Sequence, residues 1–199
     1  MTCGILKIAN CIGVSFLKHI FIINPAAGKK DSRQRVYTMA EALKKNHNLD
    51  VECMLTKSRG HATALTRAIA ETGDYVRFYA CGGDGTLNEV ASGAAGFPNL
   101  AITAYSGGSG NDFVRLFSEP AAFSDLERLL DAKEVTFDMI RCNDDYALNI
   151  CSVGLDARIG TDVARYKRLP LLQGFRAYVA STVVNVVRGI AELYVVEIC

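Results

Sequence analysis

The sequence predicts an α/β fold, a parallel sheet with helices on both faces, leading into a β-rich second region. Three observations predict it. Short apolar runs at 20–23, 76–80 and 100–104 alternate with segments of helical period, as strand–helix–strand units do. Each of those runs leads into a loop of small residues: 24–29, 82–88 and 106–112. After about Val135 the alternation with helices stops, and two strand-like runs, 135–141 and 146–152, flank Asn143-Asp144-Asp145.

The elements follow in order. Residues 20–23 form a fully apolar strand ended by Asn24-Pro25. Asp31 or Ser32 can cap a helix whose Val36, Met39, Ala40 and Leu43 keep helical spacing. Val51, Cys53 and Leu55 alternate with polar neighbours, the mark of a more exposed strand. A second helix begins near His61, with Leu65, Ala68 and Ile69 on one face. The strand 76–80 runs through a Gly-rich loop into a helix past Val90, and the strand 100–104 runs through another toward a helix at 124–130. The expected organisation is an extension (1–16), an α/β domain (17–134) and an incomplete β-rich, β-sandwich-type domain (135–199). Glu197-Ile198-Cys199 falls within a strand-like pattern, and a β-domain of about 60 residues is small for independent stability. The chain is therefore expected to be C-terminally truncated.

Composition narrows the function classes. Of 199 residues half are hydrophobic and 22% charged, enough for a packed core. With 22 basic and 21 acidic residues the formal charge is +1, which gives no support to a nucleic-acid surface. Attraction to anionic ligands must be local. Seven cysteines form no C-x-x-C pair, and the odd count fits a reducing cytoplasm better than a disulfide framework. His19, His47 and His61 are scattered and make no metal or triad constellation. Residues 1–16 lack a basic segment and a small-residue cleavage site, so no signal peptide is expected. Gln173, Arg176 and Asn185 interrupt the apolar stretch 169–187, so no transmembrane span is expected there.

The loops carry the chemistry. In sheets of this kind ligands bind at the carboxyl ends of strands, where all three loops should converge. In Gly82-Gly83-Asp84-Gly85-Thr86 three glycines permit positive φ and a close backbone approach. The helix that follows offers free N–H groups and a positive dipole end, which suits a phosphate. Asp84 would repel that phosphate unless a cation lies between, and Mg²⁺ held by a carboxylate and phosphate oxygens removes the conflict. The same residues also read as a tight turn with Asp84 as helix cap, or with Thr86 and Glu89 as a capping pair. In Asn24-Pro25-Ala26-Ala27-Gly28-Lys29, small residues allow close approach and Lys29 offers a point charge, although a solvated basic helix start is an equally local reading. It is not a Walker A loop, since G-x-x-x-x-G-K-[ST] is absent. In the third loop Ser109 and Asn111 can hydrogen-bond a nucleotide and Asp112 can cap a helix.

Together Asn24-Pro25-x-x-Gly28-Lys29, Gly82-Gly83-Asp84-Gly85-Thr86-Leu87-Asn88-Glu89 and Gly108-Ser109-Gly110-Asn111-Asp112-Phe113 resemble the catalytic domain of diacylglycerol kinases. The soluble bacterial lipid kinases, relatives of sphingosine and ceramide kinases, are the nearest likeness. It covers about Lys18 to the C-terminus, and the stretch 149–157 matches the opening of that family's second domain. The G-G-D-G-T element is shared with NAD kinases; the G-S-G-N-D-F loop favours lipid kinase. The resemblance implies a Rossmann-like N-terminal domain of the NAD kinase/diacylglycerol kinase type. It implies that Asn24, Pro25, Ala26, Ala27, Gly28, Thr56, Gly82, Gly83, Asp84, Gly85, Thr86, Leu87, Asn88 and Ser109 contact ATP. It places Lys29, Asp84 and Asp138 in the polar network around Mg²⁺ and the phosphates, Asp138 being a charge within the apolar run 135–140.

The implied reaction transfers the γ-phosphoryl group of ATP to a lipid hydroxyl such as that of diacylglycerol, mostly by positioning and charge neutralisation. The resemblance also implies a later carboxylate base in a Gly-Asp-Gly-Glu-like segment, and no second Gly-Asp-Gly follows Asp84 within these 199 residues. Activity of this chain is therefore expected to be impaired. Alternatives are an NAD kinase-like enzyme and a non-catalytic nucleotide-binding module. Expected partners are a lipid substrate with transient membrane-surface contact and no nucleic acid; a homodimer stays open. Arg165, Lys167, Arg168 and Arg176 form a basic group that either meets anionic headgroups or is a solvated face.

Overall fold

The computed structural model describes residues 18–27, 33–106, 111–166 and 175–189. Four parallel strands, β1 (Lys18–Ile23), β2 (Asp50–Leu55), β3 (Val76–Gly82) and β4 (Leu100–Ser106), lie in the order β2-β1-β3-β4. The helices between them are α1 (Arg33–His47), α2 (His61–Ala70) and α3 (Asp84–Ala94), and a short α4 (Leu126–Leu130) follows two 3-10 turns. The register is even: Ile23 sits opposite Leu55 on one side and Cys81 on the other, and Gly82 opposite Ser106. All four carboxyl strand ends therefore lie along one border of the sheet.

Strand periodicity divides the core in two. Ile20, Ile22, Phe78 and Ala80 face α2 and α3, packing with Ala62, Leu87 and Val90. Phe21, Ile23, Tyr79 and Cys81 face the other way, packing with Val36, Leu43, Leu126 and Leu129. Because 20–23 of β1 and 78–81 of β3 are buried on both faces, those stretches read as apolar runs, as interior parallel strands do. The edge strand β2 is exposed at Asp50 and half-buried from Val51 to Leu55, the more exposed strand expected from its sequence.

Two short strands, β5 (Ile140–Cys142) and β6 (Asp145–Ala147), form an antiparallel hairpin around Asn143, which adopts φ 56°. This is the strand, turn and strand expected there, though shorter. Asp138 precedes β5 on exposed, irregular backbone and is not inside a strand. Two compact units divide between Asn149 and Ile150, whereas the sequence places the change of style at 134/135. Hydrogen bonds from α3 to β6 keep the hairpin with the α/β sheet.

The described part of the second unit is helical: α5 (Leu155–Tyr166) and α6 (Phe175–Arg188). Ala177, Ser181 and Asn185 form the buried face of α6, and the Ser181 hydroxyl donates to the Ile159 carbonyl at 2.8 Å. In place of the β-rich region expected there, the described residues form two helices, and the buried positions 177, 181 and 185 of α6 keep helical rather than strand spacing. The strand-like end at 190–199 and the extension 1–16 lie outside the described residues.

Candidate functional site

The carboxyl border of the sheet gathers three of the predicted segments. At the end of β1 the Asn24 amide donates to the Cys81 carbonyl at 3.0 Å, and beside it the Thr56 amide donates to the Ile23 carbonyl at 2.9 Å. Asn24, Thr56 and Gly82 thus stand next to one another at the ends of β1, β2 and β3. The Asn24 side chain accepts from the Ala26 amide at 3.0 Å, so the backbone 24–27 turns back on itself, and its Nδ2 donates to Thr86 Oγ1 at 3.1 Å. Pro25, Ala26 and Ala27 complete that turn. Gly28, Lys29 and Ser109 lie outside the described residues, as do Asp31 and Ser32.

The first turn of α3 is the centre of the arrangement. Gly83 is its N-cap with φ −97° and no side-chain cap, and Asp84 is the first helical residue. Asp84 Oδ1 accepts from the Phe113 amide at 3.2 Å, tying the end of the third loop to the helix. Thr86 receives Asn24, as above. Both ends of the Asn88 amide engage the hairpin: Nδ2 donates to the Tyr146 carbonyl at 3.0 Å, and Oδ1 accepts from the Leu148 amide at 2.9 Å. Glu89 Oε2 accepts from the Ala62 amide at 3.2 Å at the start of α2, whose N-cap Gly60 has no side chain to offer. Asp84, Thr86, Asn88 and Glu89 each hold a different neighbouring segment.

Several local expectations change with this geometry. None of Gly82, Gly83 and Gly85 has a positive φ. Gly82 is needed for space, since a Cβ there would meet Thr86 Oγ1 at 2.3 Å. Thr86 and Glu89 do not form a capping pair, because the helix starts two residues before Thr86 and both side chains are engaged elsewhere. Asp112 does not cap the following 3-10 turn and pairs instead with Arg115 at 2.9 Å. Among the described residues Asp138 makes no hydrogen bond or ion pair with Asp84. It stands on exposed backbone beside Phe137, whose ring meets the Phe113 ring edge-on at 5.1 Å.

The contacts of Asn88 and Glu89 with the hairpin and α2 were missed from sequence. Their signal was helical spacing: Asp84 and Asn88, four apart, share one face of α3.

The surroundings suit a phosphate. Among the described residues no carbonyl accepts from the amides of Asp84 or Gly85, so the helix end presents free donors beside its positive dipole. Among the described residues Asp84 is engaged through Oδ1 alone, by the Phe113 amide. The neighbouring Cys81 thiol is buried and its pKa is pushed well up by desolvation, so it is an inert core group. Beside α3 lies a cavity of about 720 Å³ with an apolar wall of Leu87, Ala91, Ile102, Phe113, Phe137 and Leu148.

The family model for the diacylglycerol kinase catalytic domain matches residues 18–142, which is most of the chain. The chain belongs to that family. It is 27% identical over 172 residues to a Staphylococcus carnosus protein named "Putative lipid kinase", a match covering 84% of this chain and 55% of the relative. A second relative of that name in Bacillus subtilis is 34% identical over 100 residues, covering 49% of this chain and 32% of the relative. A crystal structure described as a diacylglycerol kinase of Bacillus anthracis superposes with a TM-score of 0.54 at 26% identity, over 69% of this chain and 50% of that one. The chain thus spans about half the length of the relatives it matches. Among the described residues no helix is long and apolar enough to cross a membrane.

Proposed function

We propose that this chain carries the nucleotide site of an ATP-dependent lipid kinase, which transfers the γ-phosphoryl group of ATP to a lipid hydroxyl, diacylglycerol being the first acceptor to test. The observation that carries this reading is Asp84, held through Oδ1 by the Phe113 amide at the amino end of α3, beside its own and the Gly85 amide, from which no described carbonyl accepts. Membership of the diacylglycerol kinase catalytic domain family supports it.

The residues present fit Mg-ATP. Mg²⁺ bound with phosphates commonly takes one or two carboxylates and keeps several waters. One oxygen of Asp84 meets that requirement, and among the described residues no cluster of three or more His, Cys, Asp or Glu is placed to hold a metal without a nucleotide. The amides of Asp84 and Gly85 would bind phosphate oxygens, and the turn 24–27 with Thr56 would bound the nucleotide. The family likeness adds Lys29, Ser109 and Asp138 to this proposed set. When bound, Mg²⁺ would neutralise phosphate charge; the protein supplies orientation and exclusion of water. The acceptor is brought to the site by transient contact of the protein with a membrane surface, and the enzyme works in the cytoplasm.

The test offers labelled ATP and Mg²⁺ with diacylglycerol, a sphingosine-type lipid or NAD in parallel, and measures Mg-ATP affinity alongside. Any transfer is expected to go to lipid and not to NAD. Asp84→Asn keeps an oxygen for the Phe113 amide, so it should leave the melting temperature nearly unchanged. It should weaken Mg-ATP binding at least about tenfold and lower any transfer by about 10²-fold or more. Transfer to NAD in place of lipid, or wild-type affinity in Asp84→Asn, would overturn the proposal.

A further inference from the structure

Asn88 sits one helical turn after Asp84 on the same face of α3, where a nucleotide-contacting amide would be expected. Its hydrogen bonds say otherwise. Both polar atoms of its side chain are taken by the backbone of the hairpin, at 3.0 Å to the Tyr146 carbonyl and 2.9 Å from the Leu148 amide. Ser92, one turn further on, adds a longer contact to the same Tyr146 carbonyl at 3.5 Å. A paired donor and acceptor on one side chain imitates the next rung of a β-ladder. It fixes both the distance and the register of β6 against α3.

The clamp reaches beyond the hairpin. β6 pairs with β5 through Ile140 and Ala147, and Asp138 lies two residues before Ile140. On its other side Asp138 is next to Phe137, which rests on Phe113 at 5.1 Å, and the Phe113 amide is the one bound by Asp84. The segment with Asp138 is thus anchored at both ends, and both anchors lead back to the first two turns of α3. Leu148, held by Asn88, also forms part of the wall of the apolar cavity together with Leu87 and Phe113.

We infer that Asn88 is a positioning residue and not a nucleotide ligand: it clamps the β5–β6 hairpin to α3 and so holds the Asp138 segment and the Leu148 wall in register with Asp84. This rests on the kinase reading only for its consequence in turnover. The clamp itself is a property of the protein without nucleotide.

The test compares wild type, Asn88→Ala and Asn88→Asp in three measurements on the whole chain. In hydrogen exchange without nucleotide, the Leu148 amide should exchange roughly tenfold faster in Asn88→Ala. Asn88→Asp keeps an acceptor for Leu148 but sets a carboxylate against the Tyr146 carbonyl, so its exchange should fall between the other two. Mg-ATP affinity should stay within about threefold in both variants, because no nucleotide contact is removed. Phosphoryl transfer to lipid should fall about tenfold to hundredfold in kcat with KM for ATP little changed, as displacement of a positioned segment implies.

A tenfold or greater loss of Mg-ATP affinity with unchanged Leu148 exchange would make Asn88 a ligand and overturn the inference. Faster exchange with unchanged turnover would reduce it to a structural bond and overturn it equally. If wild type transfers phosphate to no lipid, the kinase reading falls, while exchange and affinity still decide whether Asn88 clamps the hairpin or binds nucleotide.

Discussion

Thr86 is where residue-scale packing and chemistry meet. Its hydroxyl takes the Asn24 amide at 3.1 Å, and Asn24 in turn shapes the loop 24–27 by accepting from the Ala26 amide. Thr86 can hold that position only because residue 82 has no side chain: an added Cβ would lie 2.3 Å from its Oγ1 and 2.7 Å from its Cβ. The second distance matters more, since no rotation about χ1 moves a Cβ. Gly82→Ala must therefore shift the backbone of β3 or of α3, an overpacking cost on the order of 1–3 kcal/mol. Urea unfolding should show that loss, and Mg-ATP affinity should fall with it because the amide donors of α3 move. Unchanged stability would mean that the helix start tilts freely and does not hold the loops as described.

The pairing of α2 and α3 is the element-scale counterpart. Glu89 caps the start of α2 through the Ala62 amide, the Thr63 hydroxyl donates to the Glu89 carbonyl at 2.9 Å, and Gly93 lets the two backbones meet. A Cβ at Gly93 would stand 2.5 Å from the Thr63 carbonyl oxygen and 2.8 Å from the Thr66 Cβ. Two effects compete in Gly93→Ala. Helix propensity favours Ala by about 0.5–1 kcal/mol, and overpacking against backbone opposes it by about 1–3 kcal/mol. The clash should win, with a lower urea midpoint at unchanged slope. A stabilised variant would show that the helices separate without cost. Such contacts also mark what could be read from sequence. The strands were legible because β1 and β3 are buried on both faces, and α3 because an apolar face follows a Gly-rich turn. The partners of Asp84, Asn88 and Glu89 were not, because each is a backbone amide or carbonyl distant in sequence, and backbone groups leave no mark in residue identity. The hairpin's allegiance to the first unit was hidden for the same reason, since it depends on the two hydrogen bonds of Asn88.

At the scale of the whole molecule, stability and the site sit at opposite ends of the sheet. His19 stands near the amino end of β1, five residues before Asn24, roughly 16 Å away along a strand. It is 3% exposed and shares a hydrogen bond of 2.9 Å with the Tyr79 hydroxyl. Burial, helped by the nearby Arg77 guanidinium and partly opposed by Asp50, lowers its pKa to about 4 from an ordinary 6.5. The folded chain therefore binds this proton less readily than the unfolded one. Its contribution to stability is complete above about pH 6.5 and is lost progressively as the pH falls toward 4. By pH 5 the loss should be about 2 kcal/mol, already inside the range where most carboxylates remain ionised. Urea unfolding of wild type between pH 7 and 5 should follow that slope. His19→Gln, which can still reach the Tyr79 hydroxyl but does not titrate, should be nearly flat over the same range. Mg-ATP affinity should change little with this substitution, because the strand end proposed to meet the nucleotide is remote from it. Equal slopes in the two proteins would assign the acid sensitivity to other groups and leave His19 a neutral packing residue without influence on the pH curve.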